Sequence, residues 1–269
     1  MTTSLLKGKK GIISGALDES SIAWKVAKKA HEQGAQVLLT NAPVALRLGP
    51  IAELAKTIDS EVIPADATSV EDLNKLYDAA SARFGKIDFI LHSIGMSPNV
   101  RKDKPYTNVN YEWLNKTYDV SAISFHKMMS VAYNRDLMNE WGSIVALSFI
   151  AAQRTFPKYN DMNDAKALLE SIARTFGYYF AKKNKVRVNT ISQSPTVTTA
   201  GSGITGFNEM LQFAEKMAPL GNATADECAD LCVTLFSDLT RKVTMQNLYN
   251  DGGFSSVGAT PEVLEFAKG

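Results

Sequence analysis

Apolar and polar positions along this chain follow two alternating regimes. Short, β-rich apolar runs occur at Gly11–Ser14, Gln36–Thr40, Glu61–Pro64, Ile87–His92, Ser143–Ser148, Val186–Ile191 and Met245–Tyr249. Between them, segments near Ile22–Gln33, Ser69–Phe84, Asn110–Ala132, Tyr159–Lys182 and Ala225–Asp238 carry apolar residues at three- and four-residue spacing, which predicts helices with one buried face. Ser69, three residues before Asp72, reads as a helix N-cap. Strand and helix in turn from end to end predict an α/β fold: a Rossmann-type, doubly wound parallel sheet of about seven strands with helices on both faces. The longest irregular stretches, Gly95–Thr107 and Gln193–Phe207, each follow a strand. Such a sheet binds ligands beyond the carboxyl ends of its strands, so both loops are expected to overhang the site.

Composition narrows the class. The 269 residues show no linker-like break, which predicts one domain over 1–269, with a substrate-binding lid near 193–215. Lysine plus arginine number 29 against 28 acidic residues, so no net field draws the molecule to nucleic acid or an acidic membrane. No run approaches the roughly 20 apolar residues of a membrane span, and Met1–Lys10 lacks a signal-peptide core, which gives a cytoplasmic expectation. Cys228 and Cys232 share a helix face without other ligand candidates and read as buried structural thiols rather than a metal pair.

The first strand runs into Ser14-Gly15-Ala16-Leu17-Asp18-Glu19-Ser20-Ser21-Ile22-Ala23. Gly15 permits a tight turn, and the N–H groups of a helix start near Ser21 and Ile22 can hold a pyrophosphate. The same stretch also reads as an ordinary serine-capped turn, because a G-x-G-x-x-G pattern is absent. Asp66-Ala67 closes the third strand, where a carboxylate can accept from an adenine amino group or simply serve the next helix. His92-Ser93-Ile94-Gly95 closes the fourth, with a satisfied core histidine as the plain alternative. Neither Asn41 nor Ala42 supplies the acid that would bind both ribose hydroxyls, and Arg47 stands nearby, so NADH and NADPH both stay open.

Tyr159 and Lys166 are seven residues apart, about two helical turns, and the reading places them on one helix face. A phenol of ordinary pKa near 10 is a weak acid unless a neighbouring ammonium lowers it, and Lys166 is the candidate ammonium. Alone, the pair is unremarkable on a helix.

Taken in order, Gly15 with Ser21-Ile22-Ala23, His92-Ser93-Ile94-Gly95, Tyr159 with Lys166, Ile191-Ser192, Pro195, Ser202-Gly203-Ile204 and Asp251-Gly252-Gly253-Phe254 resemble the enoyl-acyl-carrier-protein reductases of bacterial fatty-acid synthesis. These are divergent short-chain dehydrogenases/reductases, whose ordinary members space the pair Tyr-x-x-x-Lys; Asn163 occupies that lysine position here. The resemblance implies hydride transfer from NADH to the β-carbon of a trans-2-enoyl thioester on an acyl-carrier protein, by a homo-oligomer, typically a tetramer. It implies Tyr159 as hydrogen-bond donor to the thioester oxygen and Lys166 as holder of the nicotinamide ribose. It also implies a cofactor site from Gly15, Ser21, Ile22, Asp66, Ala67, Ser93, Ile94, Gly95, Pro195, Thr196 and Thr198, with no metal. The acyl group would meet Phe149, Tyr159, Met162 and the lid residues Ala200, Ile204, Phe207 and Met210.

Two positions depart from the pattern. The family usually has a second tyrosine ten residues before the first, where this chain has Leu147-Ser148-Phe149. Phe149 is expected to keep the aromatic wall while Tyr159 alone supplies a hydroxyl. The lid stretch Ile204-Thr205-Gly206-Phe207-Asn208-Glu209 lacks the basic residues some members turn toward the carrier, which directs attention to Lys158 and Arg101. A reductase of carbonyls or of non-carrier enoyl substrates, or a non-catalytic nucleotide-binding protein, are the competing readings.

Overall fold

The computed structural model describes residues 4–266 apart from 48, 200 and 202–205. Seven strands form one sheet: β1 (Lys10–Ser14), β2 (Gln36–Asn41), β3 (Glu61–Pro64), β4 (Ile87–His92), β5 (Met138–Ser148), β6 (Arg187–Gln193) and β7 (Asn247–Asn250). Their order is β3-β2-β1-β4-β5-β6-β7 and every pairing is parallel. The chain winds outward in one direction from β1 to β3 and in the other from β4 to β7. The reversal between β1 and β4 opens a crevice at their carboxyl ends, which is where this architecture binds ligands.

Alternation along the strands sends successive side chains to opposite faces. Ile12, Leu38, Ile90, Ile144 and Val188 enter one core with the helices α3 (Val70–Phe84), α6 (Ser124–Asn134) and α7 (Asp161–Asn184). Ile13, Leu39, Leu91, Val145 and Ile191 enter the other with α1 (Ile22–Glu32), α2 (Ile51–Lys56) and α9 (Ala225–Phe236), where Cys228 and Cys232 lie buried. Each such aliphatic side chain contributes about 1.5–3 kcal/mol when withdrawn from water. Arg187 is buried at the start of β6 and donates to the carbonyls of Leu235, Ser237 and Thr240, so its cation closes the carboxyl end of α9.

The remaining helices are α4 (Pro98–Arg101), α5 (Tyr111–Tyr118), α8 (Phe207–Met217) and α10 (Pro261–Phe266). Helices α2, α4, α8 and α10 carry no sequence expectation, and the elements that were expected differ chiefly in four places. The helix expected at Asn110–Ala132 is α5 and α6 joined by a π segment, Asp119–Ile123. β5 begins at Met138, five residues early, and contains Trp141 at φ +63°. Met245 also has positive φ and stands outside β7, which its strand expectation included. Finally, the helix expected from Tyr159 begins at Asp161, because Asn160 has φ +47° and breaks the path. Ser69 caps α3 as expected, accepting from the Asp72 N–H.

Candidate active site

At the crevice, Gly15 leaves β1 with φ +96°, and a Cβ there would stand 2.0 Å from the Ser93 carbonyl oxygen. Only glycine lets the β1 and β4 ends approach this closely. Ser21 is the N-cap of α1 but turns its hydroxyl away from the helix, donating to the Asp18 carbonyl and accepting from the Leu17 N–H. No side chain caps α1, so the N–H groups beginning at Ile22 face the turn as donors for an anion. Asp66 and Ala67 follow the edge strand β3, two strands away. There the Asp66 carboxylate accepts from the backbone and hydroxyl of Thr68.

Beyond β4, Ser93, Ile94 and Gly95 form one wall. The space beside Gly95 that a Cβ would enter is bounded by the Met162 methyl at 3.4 Å, the Lys166 ammonium at 3.7 Å and the Ser121 hydroxyl at 4.0 Å. Ser121 lies in the π segment and both donates to and accepts from the Met96 backbone, so the irregular helix fixes this wall. His92 is a buried core histidine: its Nε2 pairs with the Ser124 hydroxyl at 2.8 Å, its Nδ1 finds no hydrogen-bond partner among the described residues, and burial pushes its pKa down to about 3.

Lys166 is buried on α7 and donates to the Leu147 carbonyl at 2.7 Å. Burial pushes its pKa down to about 8, opposed by the charge of Glu170 one turn along the helix. Glu170 is itself buried, accepting from the Ser148 hydroxyl and the Gln153 amide. An ammonium carries three donors, and the Leu147 bond uses one. Two remain beside the open space at Gly95, which suits the paired hydroxyls of a cofactor ribose. The glycine-lined cradle, the uncapped start of α1 and this ammonium fit a dinucleotide.

Tyr159 ends a short turn after Pro157 and bridges two apolar groups. On one side lie Val100, Met162 and Ala165; on the other, Phe149, Phe156, Met210 and Phe254. Phe149 is buried with its ring 5.1 Å from that of Tyr159, edge to face, so the aromatic wall stands without a second hydroxyl. The expectation that Lys166 acidifies Tyr159 does not hold. Loss of water around the phenol pushes its pKa above the usual tyrosine range, and no neighbouring charge opposes this. A phenol so placed stays protonated and acts as a hydrogen-bond donor.

On the far wall, Pro195 is buried after β6, and the Thr196 hydroxyl bonds the Ser194 carbonyl. Thr198 accepts from the Gly201 N–H. Thr199 reaches across to Asp18 and Ser20 of the phosphate turn, tying the two loops. The anticipated lid contains α8, whose first residue Phe207 is buried against Gly201. Ala200 and Ile204 lie outside the described residues.

Two residues here, Asp161 and Glu170, escaped the sequence reading, and a third, Phe254, entered it only as a landmark without a role. Asp161, the first residue of α7, is fully buried and its carboxylate accepts from Ser97, Asn99 and Thr117. Glu170 had a usable signal, its four-residue spacing from Lys166. Phe254 is delivered to the aromatic wall by the turn after β7, where Gly252 has φ +62° and a Cβ would clash with the Gly221 carbonyl at 1.9 Å, so the turn requires glycine.

A family model described as Enoyl-(Acyl carrier protein) reductase matches residues 15–255. The enoyl-acyl-carrier-protein reductase (NADH) FabI of Bacillus subtilis is 33% identical over 253 residues, covering 93% of this chain and 96% of its own length. Its counterpart from Rickettsia bellii is 35% identical over 266 residues, covering 96% and 98%. Among solved structures, the FabI–NADH complex from Alistipes finegoldii is 63% identical, with a TM-score of 0.94 over 96% of this chain and 91% of that one. On these matches, and with the geometry that accompanies them, the chain belongs to the enoyl-acyl-carrier-protein reductase family.

Proposed function

We propose that this protein reduces the trans-2 double bond of enoyl thioesters carried on acyl-carrier protein, using NADH. The observation that carries this reading is a protonated phenol, Tyr159, held between two apolar groups, one of which includes Met162, whose methyl borders the same space at Gly95 as the Lys166 ammonium. When bound, NADH supplies the hydride that adds to the β-carbon of the enoyl group. Negative charge then develops on the thioester oxygen. Tyr159 donates its O–H to that oxygen, and because the phenol is held protonated the bond strengthens as the charge grows. Solvent protonates the α-carbon to complete the saturated acyl chain.

Lys166 binds the ribose hydroxyls and adds positive potential to the same region. Gly15, Ser21, Ile22, Ser93, Ile94, Gly95, Pro195, Thr196 and Thr198 hold the remainder of the cofactor, with Asp66 and Ala67 at the adenine. Phe149, Met162, Phe207, Met210 and Phe254 enclose the acyl chain, and the lid over 193–215 excludes water when it closes. The single domain works in the cytoplasm; among the described residues no helix is long and apolar enough to cross a membrane. Its assembly is a homotetramer, supported by the exposed Leu168, Tyr178 and Tyr179 on the outer face of α7.

The test is absorbance of reduced cofactor with crotonyl thioesters on coenzyme A and on carrier protein, NADH and NADPH compared. Oxidation of NADH that depends on the enoyl thioester supports the reading. No oxidation with either thioester overturns it.

A further inference from the structure

Two neighbouring segments of this nearly neutral chain carry a local excess of positive charge. Segments 97–107 and 151–158 hold Arg101, Lys102, Lys104, Arg154 and Lys158 against one carboxylate, Asp103. That is +4 in a chain of net charge +1, which leaves −3 for the remaining residues. All five cations are exposed. Among the described residues only Lys158 has an ion-pair partner, Asp103 at 3.2 Å.

The two segments meet around one open cavity of about 700 Å³, whose charged lining is Lys104, Arg154 and Lys158 with the carboxylates Asp103 and Asp164, the latter accepting from the Tyr106 hydroxyl at 3.0 Å. Tyr106 lines it as well, with about half its surface exposed. The cluster also adjoins the reaction centre. Lys158 precedes Tyr159 directly, and the Asn160 amide that follows donates to the Lys104 carbonyl. On the lid side, the Lys158 side chain is 3.9 Å from where a Cβ on Gly206 would stand. The lid helix α8 itself carries Glu209 and Glu215 against Lys216, so its charge has the opposite sign.

Resting on the enoyl-reductase reading above, we propose that Arg101, Lys102, Lys104, Arg154 and Lys158 form the docking surface for an acidic carrier protein, with Tyr106 as its apolar contact. Carboxylates on the carrier meet this rim and are repelled by α8, which sets the carrier against the wall outside Tyr159. Exposed rim cations of this kind govern encounter rate and salt dependence more than the chemical step.

The experiment compares crotonyl-carrier protein with crotonyl-N-acetylcysteamine, an uncharged thioester, in the full-length protein and in the Arg101→Glu/Lys102→Glu/Lys104→Glu variant. The KM for the carrier substrate should rise about tenfold or more, with kcat/KM for the uncharged thioester and KM for NADH within about twofold of the parent. In the parent protein, kcat/KM for the carrier substrate should fall steeply with added salt while that for the uncharged thioester stays flat. Lys216→Glu on α8 should change neither. A carrier KM unmoved by the triple variant, an equal loss on both substrates, a salt-insensitive carrier reaction, or a carrier KM raised by Lys216→Glu alone each overturns the docking surface. Absence of turnover with both thioesters in the parent instead overturns the enoyl-reductase reading, and the docking surface with it.

Discussion

Burial of Lys166 makes its protonation a measurable component of stability. The ammonium is withdrawn from water with one backbone acceptor, Leu147, and its pKa moves from the ordinary 10.5 to about 8. That displacement corresponds to about 3 kcal/mol by which the folded state disfavours the charged form, as an order of magnitude. The sign follows from proton counting. Below pH 8 both folded and unfolded chains hold the proton, and the burial penalty is fully present. Between about 8 and 10.5 the folded chain has released it while the unfolded chain retains it, so stability rises with pH. Above 10.5 neither holds it and the penalty is gone. Replacing Lys166 with methionine removes this titration while filling a similar volume. Urea unfolding of parent and Lys166→Met from pH 7 to 10.5 should give a stability difference, parent minus variant, that climbs by about 3 kcal/mol. A difference flat to within about 0.5 kcal/mol would refute the claim that the ammonium is buried at this cost.

Other residues give sharper or simpler outcomes. Tyr159→Phe should lower kcat by about 100-fold or more with little change in KM for NADH, because the lost bond forms to the charged oxygen rather than to the cofactor; an equal loss through KM for NADH would reassign the residue. Gly15→Ala should weaken NADH binding by at least about tenfold in calorimetry, since its methyl collides with the Ser93 carbonyl at 2.0 Å and its φ of +96° disfavours alanine. Phe149→Tyr places a hydroxyl among Phe156, Tyr159 and Met210, so it should cost about 1–2 kcal/mol in chemical denaturation without raising kcat. A tenfold gain in kcat would contradict that account of the wall. Asp161→Ala leaves the donors of Ser97, Asn99 and Thr117 unpaired in the interior and should lower stability by about 3 kcal/mol, read by the same method.

The sheet was readable because its inner strands are apolar runs buried on both faces, and parallel strands of this kind announce themselves by composition, while the edge strands β3 and β7 are only partly buried. Short or irregular elements were not. α2 has six residues after Gly49-Pro50, too few for a helical period; α8 does carry apolar residues at helical spacing, Phe207, Met210, Leu211, Ala214 and Met217, but follows directly on Gly201, Gly203 and Gly206, whose composition reads as loop. The α7 boundary was misread because apolar spacing through Met162, Ala165 and Leu169 extends back to Tyr159, whereas the interruption is a backbone angle at Asn160. Within the site, the residues that touch the chemistry lay in ordered landmarks. What holds them in place was hidden: Asp161 gains its meaning from partners 44 to 64 positions distant, and Phe254, though part of a quoted landmark, gains its place in the aromatic wall only from the fold. Spacing brought Tyr159 and Lys166 together on paper by a helical repeat. The fold places each by a different element, the phenol on a turn and the ammonium inside α7.

The account stands most directly on where the hydride goes. NADH carrying deuterium at both C4 positions of the nicotinamide, incubated with the protein and crotonyl-carrier protein in ordinary water, should yield a butyryl chain with one deuterium on its β-carbon and none on its α-carbon, read by mass spectrometry of the cleaved thioester. Deuterium at the carbonyl carbon, in an aldehyde or alcohol product, or recovery of unreduced crotonyl thioester with intact NADH, would contradict it.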